Sequence, residues 1–144
     1  MTVEHILNSK GNAVYTIDAG RMLCDAARVL SERKIGAVVV IGETLKPEGI
    51  LGEREIVAAV AQGGAPVLME PVRDHMVKRF VSCRRGDSVE RLMNIMTETR
   101  LRHIPVVEGG TLIGIVSIGD VVKHRIAETE HEAESLREYI TTAR

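Results

Sequence analysis

The stretch Gly114–Val122 reads GIVSIGDVV. It opens as a short apolar strand and closes as the start of a helix, with Ser117 and Asp120 at the joint. Two readings fit a hydroxyl and a carboxylate placed there. The first is structural: a side-chain oxygen at a helix start accepts a hydrogen bond from a free backbone N–H. The second is functional. A carboxylate accepts both hydroxyl hydrogens of a cis-diol, and the amino end of the following helix favours a phosphate. Residue types alone do not separate the two.

The block recurs earlier in the chain as Gly49–Val57, GILGEREIV. Upstream, KIGAVVV (Lys34–Val40) matches LRHIPVV (Leu101–Val107). Further upstream, LCDAARVL (Leu23–Leu30) matches VERLMNIM (Val89–Met96). The three pairs lie at offsets of 65, 67 and 66 residues, an internal repeat with small loop differences.

Each unit carries the same order of signals. A strand (Ala13–Ile17 or Phe80–Cys83) is followed by a turn. A helix follows with apolar residues at helical spacing: Leu23, Ala26, Ala27 and Leu30, then Val89, Leu92, Met93 and Met96. Asp87-Ser88 supplies a cap for the second of these helices. Two short apolar strands come next, Ala37–Ile41 with Gly49–Leu51 and Ile104–Val107 with Leu112–Val116. Continuous apolar strands of this kind are buried on both faces. A closing helix runs from Glu55 to Ala61, or from Asp120 to Ile126 and beyond. One unit of about 60 residues buries little by itself. The expectation is an α/β (α+β) fold of two strand–helix–strand–strand–helix repeats packed sheet to sheet on one core, as a pseudo-two-fold pair. Its boundaries are 1–62 (first repeat with an N-terminal helix), 63–71 (linker), 72–126 (second repeat) and 127–144 (C-terminal helical extension).

Composition narrows the function. Of 144 residues, 44% are hydrophobic but only 2% aromatic (Tyr15, Phe80, Tyr139), so the core is aliphatic. Single-stranded nucleic-acid binders need aromatic stacking platforms. A net charge of −1 is not the footprint of a DNA-binding domain. Cys24 and Cys83 are too few and too far apart for a disulfide framework or a zinc site. His5, His75, His103, His124 and His131 show no metal-ligand spacing. Cys83 stands beside Arg84 and Arg85, which would lower a thiol pKa. No Ser–His–Asp set, catalytic carboxylate pair or phosphate-binding glycine loop is found, so no enzyme is expected. No signal peptide or spanning apolar run stands out, so a cytoplasmic location without membrane contact is expected.

With the repeat in hand, the chain resembles the CBS domain family, whose members carry tandem pairs called Bateman modules. The resemblance covers roughly residues 5–126. GIVSIGD fits the family's G-h-[IV]-[ST]-x-x-D pattern, and IGAVVV with GILGEREIV gives the first copy. ILNSKGNAV followed by an IGAVVV strand is similar to stand-alone bacterial CBS-pair proteins that carry no attached enzyme. The resemblance implies binding of an adenosine-containing ligand in clefts between the repeats: AMP, ADP, ATP, S-adenosylmethionine or NAD(H). It implies that the motif Asp holds the ribose hydroxyls and the motif Ser helps with ribose or phosphate. It favours the functional reading of Ser117 and Asp120.

Two unequal clefts are expected. Cleft A joins Ile115, Ser117 and Asp120 to Lys10, Tyr15, Thr16, Ile35, Gly36 and Ala37, with Lys10 within reach of a phosphate. Cleft B joins Ile50, Gly52, Arg54 and Glu55 to Val81, Arg102, His103 and Ile104. Gly52 lacks the hydroxyl, worth on the order of 1 kcal/mol as a hydrogen bond, and Glu55 is longer than Asp by a methylene. Cleft A is expected to be the main site. Ile126, Thr129, Ala133, Leu136 and Ile140 form a narrow apolar stripe on the closing helix. A subunit contact is expected there, since CBS pairs commonly form flat homodimers, with Val3, Ile6 and Leu7 adding a short helix to the same layer. The function expected is a nucleotide sensor that signals to an unidentified protein partner by a conformational shift. The alternative is a constitutive dimeric scaffold with vestigial clefts.

Overall fold

A computed structural model describes residues 1–142 except Asn12 and Leu45. The last two residues of the expected C-terminal extension, 143 and 144, lie outside the described residues. Along the chain run α1 (Val3–Lys10), β1 (Thr16–Asp18), α2 (Leu23–Arg33), β2 (Ala37–Ile41), β3 (Pro47–Gly52) and α3 (Glu53–Gly63). After two short 3-10 turns (Ala65–Met69 and Val72–Asp74) come α4 (Val89–Thr99), β4 (His103–Glu108), β5 (Thr111–Ser117) and α5 (Ile118–Thr142). In the first sheet β1 pairs parallel with β2, and β2 antiparallel with β3. In the second sheet β4 and β5 are antiparallel. No helix of the described residues is long and apolar enough to cross a membrane.

The repeat is visible in the registers: Ala37 lies opposite Gly52, and His103 opposite Ser117. One expected strand does not form. Phe80–Cys83 contributes a single parallel bridge, Cys83 to Val106. The chain turns away at once, because Asp87 accepts the Arg84 N–H at 2.8 Å and donates its own N–H to the Arg84 carbonyl at 3.1 Å. Ser88 caps α4 as expected, accepting the Arg91 N–H at 3.1 Å.

The apolar residues separate into two clusters rather than one shared core. The first holds Leu23, Ala26, Leu30, Val38, Val40 and Leu51. It is closed by Val67, in the segment between the repeats, and Val72, at the start of the second repeat. The second holds Leu92, Met96, Ile104, Val106, Val116 and Val121. It is closed by Val3, Ile6 and Leu7 of α1. These three residues therefore face the inside of the chain and leave no apolar side for a subunit layer. Full burial of each such side chain contributes roughly 1.5–3 kcal/mol.

Each core is thus completed by the segment that precedes the other repeat, and the backbone repeats the exchange. Leu23 donates to the Glu70 carbonyl and Val72 to the Arg21 carbonyl. Val89 donates to the Met1 carbonyl and Val3 to the Asp87 carbonyl. The crossings need small residues on β3 and β5. A Cβ on Gly114 would stand 2.8 Å from Leu7 Cδ2, and one on Gly49 would stand 2.9 Å from the Val77 carbonyl oxygen.

Candidate functional site: the clefts between the repeats

Both closing helices start with a carboxylate that folds back on the strand. Ser117 Oγ accepts the Asp120 N–H at 3.1 Å, and Asp120 Oδ2 accepts the Ser117 N–H at 2.8 Å. This reciprocal capping box satisfies two donors that a helix start otherwise leaves free. In the first repeat Glu55 Oε1 accepts the Gly52 N–H at 2.9 Å, its extra methylene spanning the same gap. A Cβ on Gly52 would stand 3.0 Å from the Gly36 carbonyl oxygen, which accepts the Glu53 N–H at 3.2 Å. A side chain at position 52 would therefore be tightly placed against that carbonyl.

The helix-capping reading of Ser117 and Asp120 is therefore realised, and it leaves room for a ligand. Among the described residues, every hydrogen bond to the Asp120 carboxylate falls on Oδ2. One comes from Lys10, whose Nζ lies 2.6 Å from Oδ2 and 2.8 Å from the Ile115 carbonyl oxygen. The equivalent carbonyl of the first repeat, on Ile50, instead accepts the Val77 backbone N–H at 2.8 Å. Burial would raise the Asp120 carboxyl. The Lys10 ammonium and the Ser117 bonds outweigh it and hold the group below its ordinary value.

The residues expected in cleft B largely converge. Ile50, Gly52, Arg54, Glu55, Arg102 and His103 line a cavity of about 240 Å3. Ile104 does not, because it is fully buried in the second core, and Val81 does not reach it. Val77 lines the wall instead, paired antiparallel with Ile50. Glu53, Arg100, Leu101 and Ile118 complete the wall. Glu53 and Ile118 occupy equivalent first positions of α3 and α5, and that equivalence was the available sequence signal.

His103 adds no positive charge to this cleft at pH 7. Burial and the nearby Lys10 ammonium push its imidazole below its ordinary value, so it stands neutral at pH 7. The cationic rim consists of Arg54, Arg100 and Arg102.

Cleft A comes together only in part. Ile115, Ser117, Asp120 and Lys10 meet as expected. Gly36 lines the other cleft, where an added Cβ would stand 3.3 Å from His103 Nε2. Tyr15 packs against the first core with the Arg33 guanidinium 5.0 Å from its ring centroid, so Arg33 covers a ring face. Ile35 also packs on that core, Ala37 is buried opposite Gly52, and Thr16 is exposed at the start of β1. The space beside Asp120 is a groove of about 130 Å3 between α1 and α5. Ser9, Lys123 and His124 line it; none was singled out from sequence, although Lys123 and His124 follow Asp120 by one helical turn.

Cys83 is buried and its thiol is pushed up to about 12, chiefly by burial, so Arg84 and Arg85 do not activate it. Among the described residues no group of three or more His, Cys, Asp or Glu could hold a metal.

Two units built on one plan, each ending in a helix that starts with an acidic residue at a cleft shared with the other, define a tandem-repeat architecture. The chain belongs to the CBS domain family, whose profile matches residues 3–62 and 72–127. It is 31% identical over 150 residues to the mitochondrial CBS domain-containing protein CBSX3 of Arabidopsis thaliana, covering 96% of this chain and 71% of that one. A crystal structure of a CBS-domain protein from Agrobacterium tumefaciens shares 44% identity, 86% of this chain and 92% of its own, at a TM-score of 0.83. Two more distant structures share the fold at TM-scores of 0.72 and 0.79. They are CBSX2 in complex with AMP (23% identity) and the CBS pair of MJ0100 in complex with 5′-methylthioadenosine and S-adenosylmethionine (20% identity).

Proposed function

We propose that this CBS pair is a regulatory module that binds an adenosine-containing nucleotide between its repeats and signals through the change in their relative placement. The observation that carries the reading is the 240 Å3 cavity. It joins the acidic helix start of one repeat, Gly52–Glu55, to the strand start of the other, Leu101–His103. Glu55 is the ribose acceptor there, and Arg54, Arg100 and Arg102 receive phosphate. Ile50, Val77 and Ile118 give an apolar slot for a flat base. Asp120 and Ser117, the main site expected from sequence, offer here a second, tighter cleft held by Lys10.

The complexes of CBSX2 with AMP and of MJ0100 with adenosyl compounds support this ligand class. AMP, ADP or ATP is the favoured choice, with NAD(H) next. The role is regulatory, because the described residues of the clefts gather hydrogen-bond acceptors and cations suited to holding a nucleotide. A ligand shifts such a pair only through different affinity for its two arrangements.

A second copy of the chain covers the exposed apolar face of α3 and α5. Val57 and Val122, at equivalent places on those helices, are 67% and 48% exposed. Ile126, Leu136 and Ile140 continue the face along α5. A homodimer then presents the nucleotide state to a downstream protein, in the cytoplasm. Calorimetric titration with AMP, ATP, NADH and S-adenosylmethionine tests the ligand class.

A further inference from the structure

Lys10 stands where a ribose would compete with it. Its ammonium takes Asp120 Oδ2 at 2.6 Å and the Ile115 carbonyl at 2.8 Å, bridging α1 to the strand–helix joint of the second repeat. The first repeat has no such cation: Ile50 bonds the Val77 backbone, and Glu55 bonds only the Gly52 N–H among the described residues. The two clefts therefore differ in one charge placed on the ribose acceptor.

Beside the ion pair, the groove between α1 and α5 holds Ser9, Lys123 and His124. It has a volume of about 130 Å3 and places Lys10 and Lys123 beside Asp120. His124 Nε2 is buried with no hydrogen-bond partner among the described residues. A buried polar nitrogen without a partner carries a desolvation cost that an incoming acceptor relieves.

We propose that Lys10 is a specificity residue that makes the Ser117–Asp120 cleft accept phosphorylated adenosine ligands and reject uncharged ones. The inference rests on the reading of Asp120 as a ribose acceptor. For a nucleotide, the ribose hydroxyls replace the ammonium on Asp120, and the ammonium turns to the phosphate in the Ser9–Lys123–His124 groove. Every charge keeps a partner through the exchange. For adenosine the same displacement leaves the ammonium without its anion, and nothing in the ligand restores the pair. The gate is coupled to α1, whose Val3, Ile6 and Leu7 help to close the second core. Ligand arrival at Asp120 is thereby transmitted to the N-terminal helix.

The test is calorimetric titration of the full chain with AMP and with adenosine, on wild type and on Lys10→Met, Lys10→Arg and Asp120→Asn. The binding event that Asp120→Asn removes is the one read. Wild type is expected to prefer AMP over adenosine by about tenfold or more, the worth of one charged hydrogen bond. In Lys10→Met the preference falls below about threefold, adenosine binding as well as before or better. Lys10→Arg restores the preference. An unchanged AMP-to-adenosine ratio in Lys10→Met overturns the gate while leaving Asp120 as ribose acceptor. If Asp120→Asn removes no binding event, the ribose reading of this cleft falls and takes the gate with it.

Discussion

Gly36 and His103 face each other across the boundary between the repeats, with room for a hydrogen on Gly36 but little for a methyl. An added Cβ would stand 3.3 Å from His103 Nε2, and both residues line the 240 Å3 cavity. A branched side chain at position 36 therefore drives the imidazole into the space proposed for the ligand. Gly36→Val is expected to weaken nucleotide binding by about tenfold or more. The urea midpoint should move little, because position 36 is exposed and the buried core is left intact. A variant that binds as tightly as wild type would contradict the assignment of this cleft.

His103 also sets a pH dependence. Burial and the Lys10 ammonium, with a smaller effect from Arg102, favour its neutral form, while Asp120 and Glu53 oppose them. Its folded pKa thus lies below its ordinary 6.5, and below that pH the unfolded chain binds more protons than the folded one. Stability contributed by this group is present above about pH 6.5 and is lost as pH falls. Urea unfolding between about pH 7 and pH 5 should show a stability loss that is shallower in His103→Gln. Equal slopes would show that His103 does not carry it.

The exchange of α1 into the second core makes a sequence-distant prediction. Leu7 is buried against residues that lie more than seventy positions away. Leu7→Ala should cost about 2–5 kcal/mol in urea unfolding, the usual range for a buried Leu truncated to Ala. If α1 were only a surface appendage, the cost would be under about 0.5 kcal/mol.

How far the sequence could be read follows from which signals are local. The repeat, the helices and the paired strands all rest on short-range periodicity. Gly49–Val57 against Gly114–Val122 displays it, and the structure follows it closely. The exchange of α1 and of Val67 and Val72 is not local, because apolar residues at helical spacing do not say which core they enter. The same limit explains the site. Glu55, Arg102 and His103 converge as expected, since they flank the recognised blocks. Val77 was missed because its role depends on backbone pairing with Ile50 rather than on side-chain type. Gly36 went to the wrong cleft, because only the packing of one repeat on the other decides which His or Asp it faces.

The apolar face of α3 and α5 predicts assembly. Val57 and Val122 are solvent-exposed on equivalent helices, an arrangement suited to a two-fold contact. Light scattering after size exclusion should give twice the 15.8 kDa chain mass for wild type. The Val57→Asp/Val122→Asp double variant should run as a monomer with its far-ultraviolet spectrum unchanged. A wild-type monomer at micromolar concentration would contradict a covering second copy.

The measurement closest to the central claim is calorimetric titration of the protein with AMP, repeated on Glu55→Ala and on Asp120→Ala. The account predicts micromolar binding, with each substitution weakening one binding event by about 2 kcal/mol, as for loss of a charged hydrogen-bond acceptor. No binding of AMP, ATP, NADH or S-adenosylmethionine, or binding that neither substitution alters, would contradict it and leave the dimeric scaffold with vestigial clefts as the better description.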